Sequence, residues 1–301
     1  MGIGNHRGFE KMAIAQAAKQ KIIQIKHLPP LSGTASSLLG IVSDPDVDID
    51  ELSRIIGQDP GLAARILGLA NAAYFAQPQP VNTVKEAIIR VLGLNMVKSL
   101  ALSIAMCGAF DTSMCPGFEL EKYWYSALGG AALARRLAMK MAPEERPDAD
   151  GVYLGGLLVD LGVLVLVNSF PKEYSLVLQR QHLEPEGEMV QLEQQLIGLT
   201  SSEAGSWLAD RWHLPESVVR IINYQIYPDD VRSVGKRSEI LLVGASMRWI
   251  KGSLSGDNIS LKDDLVLHQV LGIPAEVLES LEVEFSEKED EIRTLARMLA
   301  G

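Results

Sequence analysis

One carboxylate stands where apolar residues surround it. Asp160 interrupts the run LGGLLVDLGVLVLV at 154–167. An acid taken out of water is costly unless it is paired or hydrogen-bonded. Two roles answer that cost. Asp160 accepts hydrogen bonds from a neighbouring helix end or a tyrosine, or it holds a metal or another ligand. The histidines His6, His27, His182, His213 and His268 never stand three or four residues apart, so no sequence-local zinc site forms. Cys107 and Cys115 are the only thiols, too few for a four-thiolate centre or a disulfide framework. They read as free thiols in a core. There is no phosphate-cradling GxxxxGK[ST], no GxGxxG after a strand and no GxSxG elbow.

The elements that must position Asp160 read as helices almost throughout. Aromatic residues make up 6% and no sustained alternation of period two appears, so strand signals are weak. Helix starts are marked by Asp48 with Glu51, Thr83 with Glu86 and Thr200 with Glu203, each at capping-box spacing. Asp59-Pro60 and Leu214-Pro215 place a proline at a first helical position, where its missing donor costs nothing. Gly93 and Gly198 follow apolar helical runs as stop signals. Leu62, Ile66, Leu69 and Ala70 share one helical face, as do Ala204, Leu208 and Trp212. Gly155, Gly156 and Gly162 suit close helix approach. Breaks are expected near 26–30, 110–118, 142–150 and 227–237.

Composition narrows the function. The chain has 301 residues, 47% hydrophobic and 22% charged, which excludes wholesale disorder. A net charge of −10 opposes phosphate backbones and argues against nucleic-acid partners. The most apolar stretch, Leu154 to Val167, is shorter than the ~20 residues that span a bilayer, and the N-terminus does not read as a signal peptide. A cytoplasmic protein without membrane partners is expected. Residues 1–27 carry Arg7, Lys11, Lys19, Lys21 and Lys26 against Glu10. Over 10–26 they form an amphipathic pattern, expected to dock on protein. The acidic segment 276–291 reads as a solvated helical face, or as the contact for that basic helix.

At this point a resemblance becomes legible. The run LPPLSGTASSLLGIVSDPDVDIDELSRIIGQDPGLAARILGLANAAYF at 28–75 resembles the opening of the HDOD domain, the HD-related output domain of bacterial signalling proteins. VNTVKEAIIRVLGLNMVKSLAL at 81–102 continues it, YLGGLLVDLGVLVL at 153–166 is similar to its LAGLLHDIG-like helix, and SSEAGSWLADRWHLPESVVRIINYQ at 201–225 follows its later pattern. The resemblance implies an all-α, HD-domain-like fold, with an N-terminal helical bundle packed on an HD-related helical subdomain. The organisation it implies is a basic N-terminal helix at 1–27, an HDOD domain at 28–226 with a bundle at 28–115 and an HD-like part at 116–226, and a helical extension at 227–301.

Related HD enzymes hold divalent metal with a histidine, a His-Asp pair and a distal aspartate. On this sequence those positions fall on Tyr125, on Val159-Asp160, and near Ser246. Two further family histidine positions are Ser201 and Gln225, and Tyr125 or Ser201 on a facing helix is the expected hydrogen-bond partner of Asp160. Only Asp160 retains a metal-ligating side chain, since valine has no donor and tyrosine and serine are poor ligands for these metals. The resemblance, so altered, implies a non-catalytic regulatory module with no catalytic residues, no metal and no cofactor. It would act through signalling proteins in trans, with a nucleotide-like ligand in the altered pocket or a second copy as further partners. The alternative is a divergent metal-dependent phosphohydrolase of nucleotides or cyclic dinucleotides.

Overall fold

The protein is described from a computed structural model, which covers residue 25 and residues 30–75, 79–183, 188–226, 238–257 and 259–301. Among these residues helix follows helix and no strand occurs. The expected basic helix at 1–27 lies outside the described residues, apart from Ile25, which is buried in the hydrophobic core. The expected break at 227–237 also lies outside them.

The first half comprises α1 (Gly33–Val42), α2 (Ile49–Gly57), α3 (Pro60–Ala70), α4 (Val84–Ala87, running into a π-turn at Ile88–Leu92) and α5 (Leu94–Cys107). Its caps follow the sequence. Asp48 Oδ1 accepts from the Glu51 N–H at 2.6 Å, and Asp59 Oδ1 accepts from the Leu62 N–H at 3.0 Å, with Pro60 as first helical residue. Thr83 caps α4, but the Glu86 carboxylate accepts from the Asn82 N–H rather than from its cap residue. Asn71 ends α3 and ties it to the returning chain, its amide donating to the Val81 carbonyl and its Oδ1 accepting from the Val81 N–H, at 2.9 and 2.8 Å.

The second half contains α6 (Leu120–Lys140), α7 (Ala149–Leu158), α8 (Leu161–Ser169), α9 (Pro171–Leu183), α10 (Met189–Leu196), α11 (Ser201–Arg211) and α12 (Glu216–Tyr224). It is followed by α13 (Ser238–Ser255), α14 (Ala275–Glu287) and α15 (Glu289–Ala300). Helix α6 is the central column, packed by α7, α13 and α15. Its small residues make this possible. Gly129 and Gly130 admit Ile250 and Met247 of α13, and Ala131 lies against Gly156 of α7. Glycine is required most strictly at Gly162, where any Cβ would overlap the Ser201 carbonyl, so α8 and α11 touch backbone to backbone.

Three sequence expectations change. Pro215 is the N-cap of α12, not its first helical residue. Asp160 does not lie inside a continuous helix, because Val159 and Asp160 form the joint between α7 and α8. The apolar stretch is also longer than the sequence reading set it. Residues Ala149–Ser169 pass as a 21-residue segment apolar enough for a bilayer by length and composition, but 78% of its most apolar 18-residue stretch is buried inside the protein, as in a core helix. Thr200 and Glu203 do form a full capping box at the start of α11.

Candidate functional site: a closed charged corner

The α7–α8 joint sets Asp160 at the N-terminus of α8, where its carboxylate could have capped the helix, yet it makes no capping bond. Both oxygens instead accept from the Lys251 ammonium of α13, Oδ1 at 2.9 Å and Oδ2 at 2.8 Å. The Asp160 side chain is 12% exposed and that of Lys251 47%. The pair is therefore a partly buried bridge with its lysine toward solvent. Lys251 extends the inward stripe of Ile240, Val243 and Met247, which explains how a lysine of α13 reaches this corner.

A second acid lies nearby. Glu193 of α10 is fully buried. Its Oε2 accepts from the Ser201 N–H at 2.7 Å and from the Ser201 hydroxyl at 3.0 Å, which pins the first turn of α11 to α10. The Tyr174 hydroxyl of α9 donates to its Oε1 at 3.5 Å. Burial pushes the Glu193 carboxyl up to about 7, against the lowering pull of the two Ser201 bonds and of Lys251, while Asp160 adds to the rise. Burial together with the charges of Glu193 and Asp160 raises the Tyr174 phenol well above its usual range. The Tyr123 phenol, buried against the Cys107 thiol, is raised as well. Burial in turn raises Cys107 to about 12, so this thiol is inert.

The six positions singled out by the resemblance meet different partners. Val159 is buried and apolar beside Asp160. Ser201 is near the corner but serves Glu193 rather than Asp160. Tyr125, expected as a partner of Asp160, instead lies under the Arg293 guanidinium of α15, 4.9 Å from its ring centre. Ser246 is fully buried and donates to the Leu242 carbonyl of its own helix at 2.8 Å. Gln225 caps α12, with its carbonyl against Gly244 of α13. Sequence reading missed Lys251, Glu193, Tyr174 and Tyr123. A signal for Glu193 existed, since it lies three residues after Val190 and four before Ile197, on the apolar face of α10.

Divalent metals need several oxygen or imidazole donors around one point. Here the surviving carboxylate is already gripped by an ammonium, and the other positions offer a valine, a serine bonded to Glu193 and a tyrosine engaged by Arg293 and Ser253. Among the described residues no cluster of three or more His, Cys, Asp or Glu side chains is placed to hold a metal. The donor set does not fit the metal centre of the HD enzymes.

The family model described as HDOD domain matches residues 28–228. A curated relative, an "Uncharacterized protein" of Treponema pallidum (strain Nichols), is 27% identical over 203 residues, covering 67% of this chain and 38% of that protein. The chain thus spans well under half the length of that relative. Among solved structures, a "Putative signal transduction protein" from Marinobacter aquaeolei VT8 superposes with a TM-score of 0.83 at 26% identity, over 96% of this chain and 66% of that one. An "HDOD domain protein with unknown function" from Geobacter sulfurreducens gives 0.76 at 23% identity, over 96% and 98%. The latter likeness is one of fold.

Proposed function

The chain belongs to the HDOD domain family, and from that premise we propose that it is a non-catalytic signal-transduction module of the cytoplasm, acting on protein partners in trans through shifts in helix packing. The observation that carries this reading is the grip of Lys251 on both oxygens of Asp160. A tethered ammonium supplies the positive charge that a metal would bring to that carboxylate. It cannot activate water as a Lewis acid does. Backbone-close crossings such as Gly162 on Ser201 tie the positions of α8 and α11 to each other. Such packed arrangements can switch between discrete states separated by a few kcal/mol.

The test is the full chain purified without chelators. Elemental analysis is expected to find no stoichiometric Mn, Fe, Mg, Co or Zn. Hydrolysis of a chromogenic phosphodiester and of cyclic dinucleotides, with each metal supplied, is expected to match the rate of Asp160→Ala. Stoichiometric metal together with hydrolysis lost in Asp160→Ala overturns the reading in favour of a divergent phosphohydrolase.

A further inference from the structure

A polar cavity of about 270 Å³ opens on a different part of the molecule, where α1 and α5 meet the first turns of α7 and α12. Lys98 of α5 lines it and is 6% exposed. Its ammonium donates to the Asp44 backbone carbonyl at 3.0 Å. Among the described residues no carboxylate lies within ion-pair distance of it. An ammonium has three donors, and a buried cation without a counter-ion is costly. The cavity leaves room beside this ammonium for an anion.

A second observation points the same way. Pro215 and Ser217, at the start of α12, line the same cavity, and this helix has no side-chain cap. Its first N–H groups favour an anion, and the Glu216 carboxylate that shares this turn is largely exposed and turned to Arg220 at 3.9 Å. The remaining wall has the opposite sign. Asp44, Asp148 and Asp150 line it. Asp150 is balanced by Arg135 at 3.0 Å and Asn95 at 2.8 Å, and Asp148 caps α7 through the Asp150 and Gly151 N–H groups. Asp44 and Asp148 have no cation among the described residues. These carboxylates repel a polyanion such as a nucleotide phosphate and attract an ammonium.

We propose that this cavity binds a small zwitterion of the α-amino-acid class. Its carboxylate meets Lys98 and the first turn of α12, and its ammonium faces Asp44 and Asp148. Val42 and Leu154 offer an apolar wall to the side chain. The volume is just under the ~300–1,000 Å³ of drug-sized sites, which suits a metabolite. The ligand would touch both halves of the molecule and bias their packing. The inference stands whether or not the Asp160 corner is catalytic.

Isothermal titration of the full chain with each of the standard amino acids tests it. Controls are the matching amines, the matching desamino carboxylic acids, inorganic phosphate and AMP. At least one amino acid is expected to bind one to one, with its amine and desamino analogues roughly tenfold weaker or worse. Lys98→Met should weaken binding by roughly tenfold or more, and Asp148→Asn, which keeps an N-cap side chain, by about threefold. Where circular dichroism shows Lys98→Met to be misfolded, Ser217→Leu, which fills the same cavity, replaces it with the same expected loss. Absence of saturable binding by every amino acid at millimolar concentration overturns the proposal. So does amino-acid binding indifferent to these variants, or phosphate or AMP binding lost in Lys98→Met.

Discussion

Lys251 and Lys98 lie in two corners of one helical protein and meet different surroundings. Lys251 is held by both oxygens of Asp160, with Glu193 and Ser201 bonded to each other close by. Lys98 is far more buried, yet its hydrogen bond goes to a peptide carbonyl. In the first corner the protein answers its own charges. In the second a cation is left facing a cavity. The corner at the motif position of Asp160 is thus the self-contained one, and the cavity proposed to take a ligand stands where the family's motif does not point. Buried charge becomes informative about function only after its partners are identified, because a satisfied pair and an unsatisfied one look alike in sequence.

The largest effect is expected where the closed corner is tightest. Gly162→Ala drives a methyl group into the Ser201 carbonyl. Relief requires α8 and α11 to separate, which also pulls Ser201 from Glu193. A loss of about 3 kcal/mol or more is expected in urea unfolding, at the upper end for overpacking. A variant as stable as the parent would show that the crossing is loose and the corner not closed.

A pH series sharpens the contrast next. Glu193 has a folded-state value of about 7 against an ordinary 4.5. Between those values the native protein binds the proton and the unfolded chain does not. Stability from this group is therefore fully present below pH 4.5 and declines as pH rises to about 7, by about 3 kcal/mol in total. Glu193→Gln should remove that slope while keeping an amide oxygen for the Ser201 donors. An unchanged slope in Glu193→Gln would assign the titration to another group and weaken the picture of a desolvated corner.

The Asp160–Lys251 pair comes third. A double-mutant cycle with Asp160→Asn and Lys251→Met should give a coupling of about 1–2 kcal/mol, more than an exposed pair because one partner is largely desolvated, and less than a fully buried one because Lys251 reaches solvent. Zero coupling would remove the observation on which the non-catalytic reading rests.

Much of the fold was legible because it is set by local rules. Asp48, Asp59, Thr83 and Thr200 cap helices, and Gly93 and Gly198 stop them with positive φ, since each device acts within a turn of the chain. The family motifs located Asp160 and Ser201 but not their partners. Lys251 lies 91 residues from Asp160, and no local spacing encodes that meeting. The expected Tyr125 contact failed for a related reason. A long helix such as α6 presents different residues to α13 and α15, and only the packed arrangement decides which neighbour each one meets. Lys98 gave no signal at all, since a lysine inside an amphipathic helix reads as a surface residue until the adjoining halves close over it.

The smallest expected effect supplies the baseline against which the corner is judged. Arg297 Nε donates to Glu121 Oε1 at 3.1 Å, joining α15 to the start of α6, with side chains 59% and 41% exposed. Its bond is similar in length to the Asp160–Lys251 contacts, so geometry alone would rank the pairs together. Burial separates them. Around Arg297 and Glu121 water screens the attraction, and the long side chains lose rotamer freedom to make it, which leaves exposed pairs at about 0–1 kcal/mol. A cycle with Arg297→Met and Glu121→Gln should accordingly give about 0.5 kcal/mol or less, and that value should fade in 1 M salt, where the Debye length falls to ~3 Å. The Asp160–Lys251 coupling should fade less under the same salt, because its carboxylate is shielded from ions by the protein around it. Equal couplings with equal salt sensitivity would mean that the corner is electrostatically ordinary surface. The contrast with Lys98 would then lie in the cavity alone rather than in how each charge is answered.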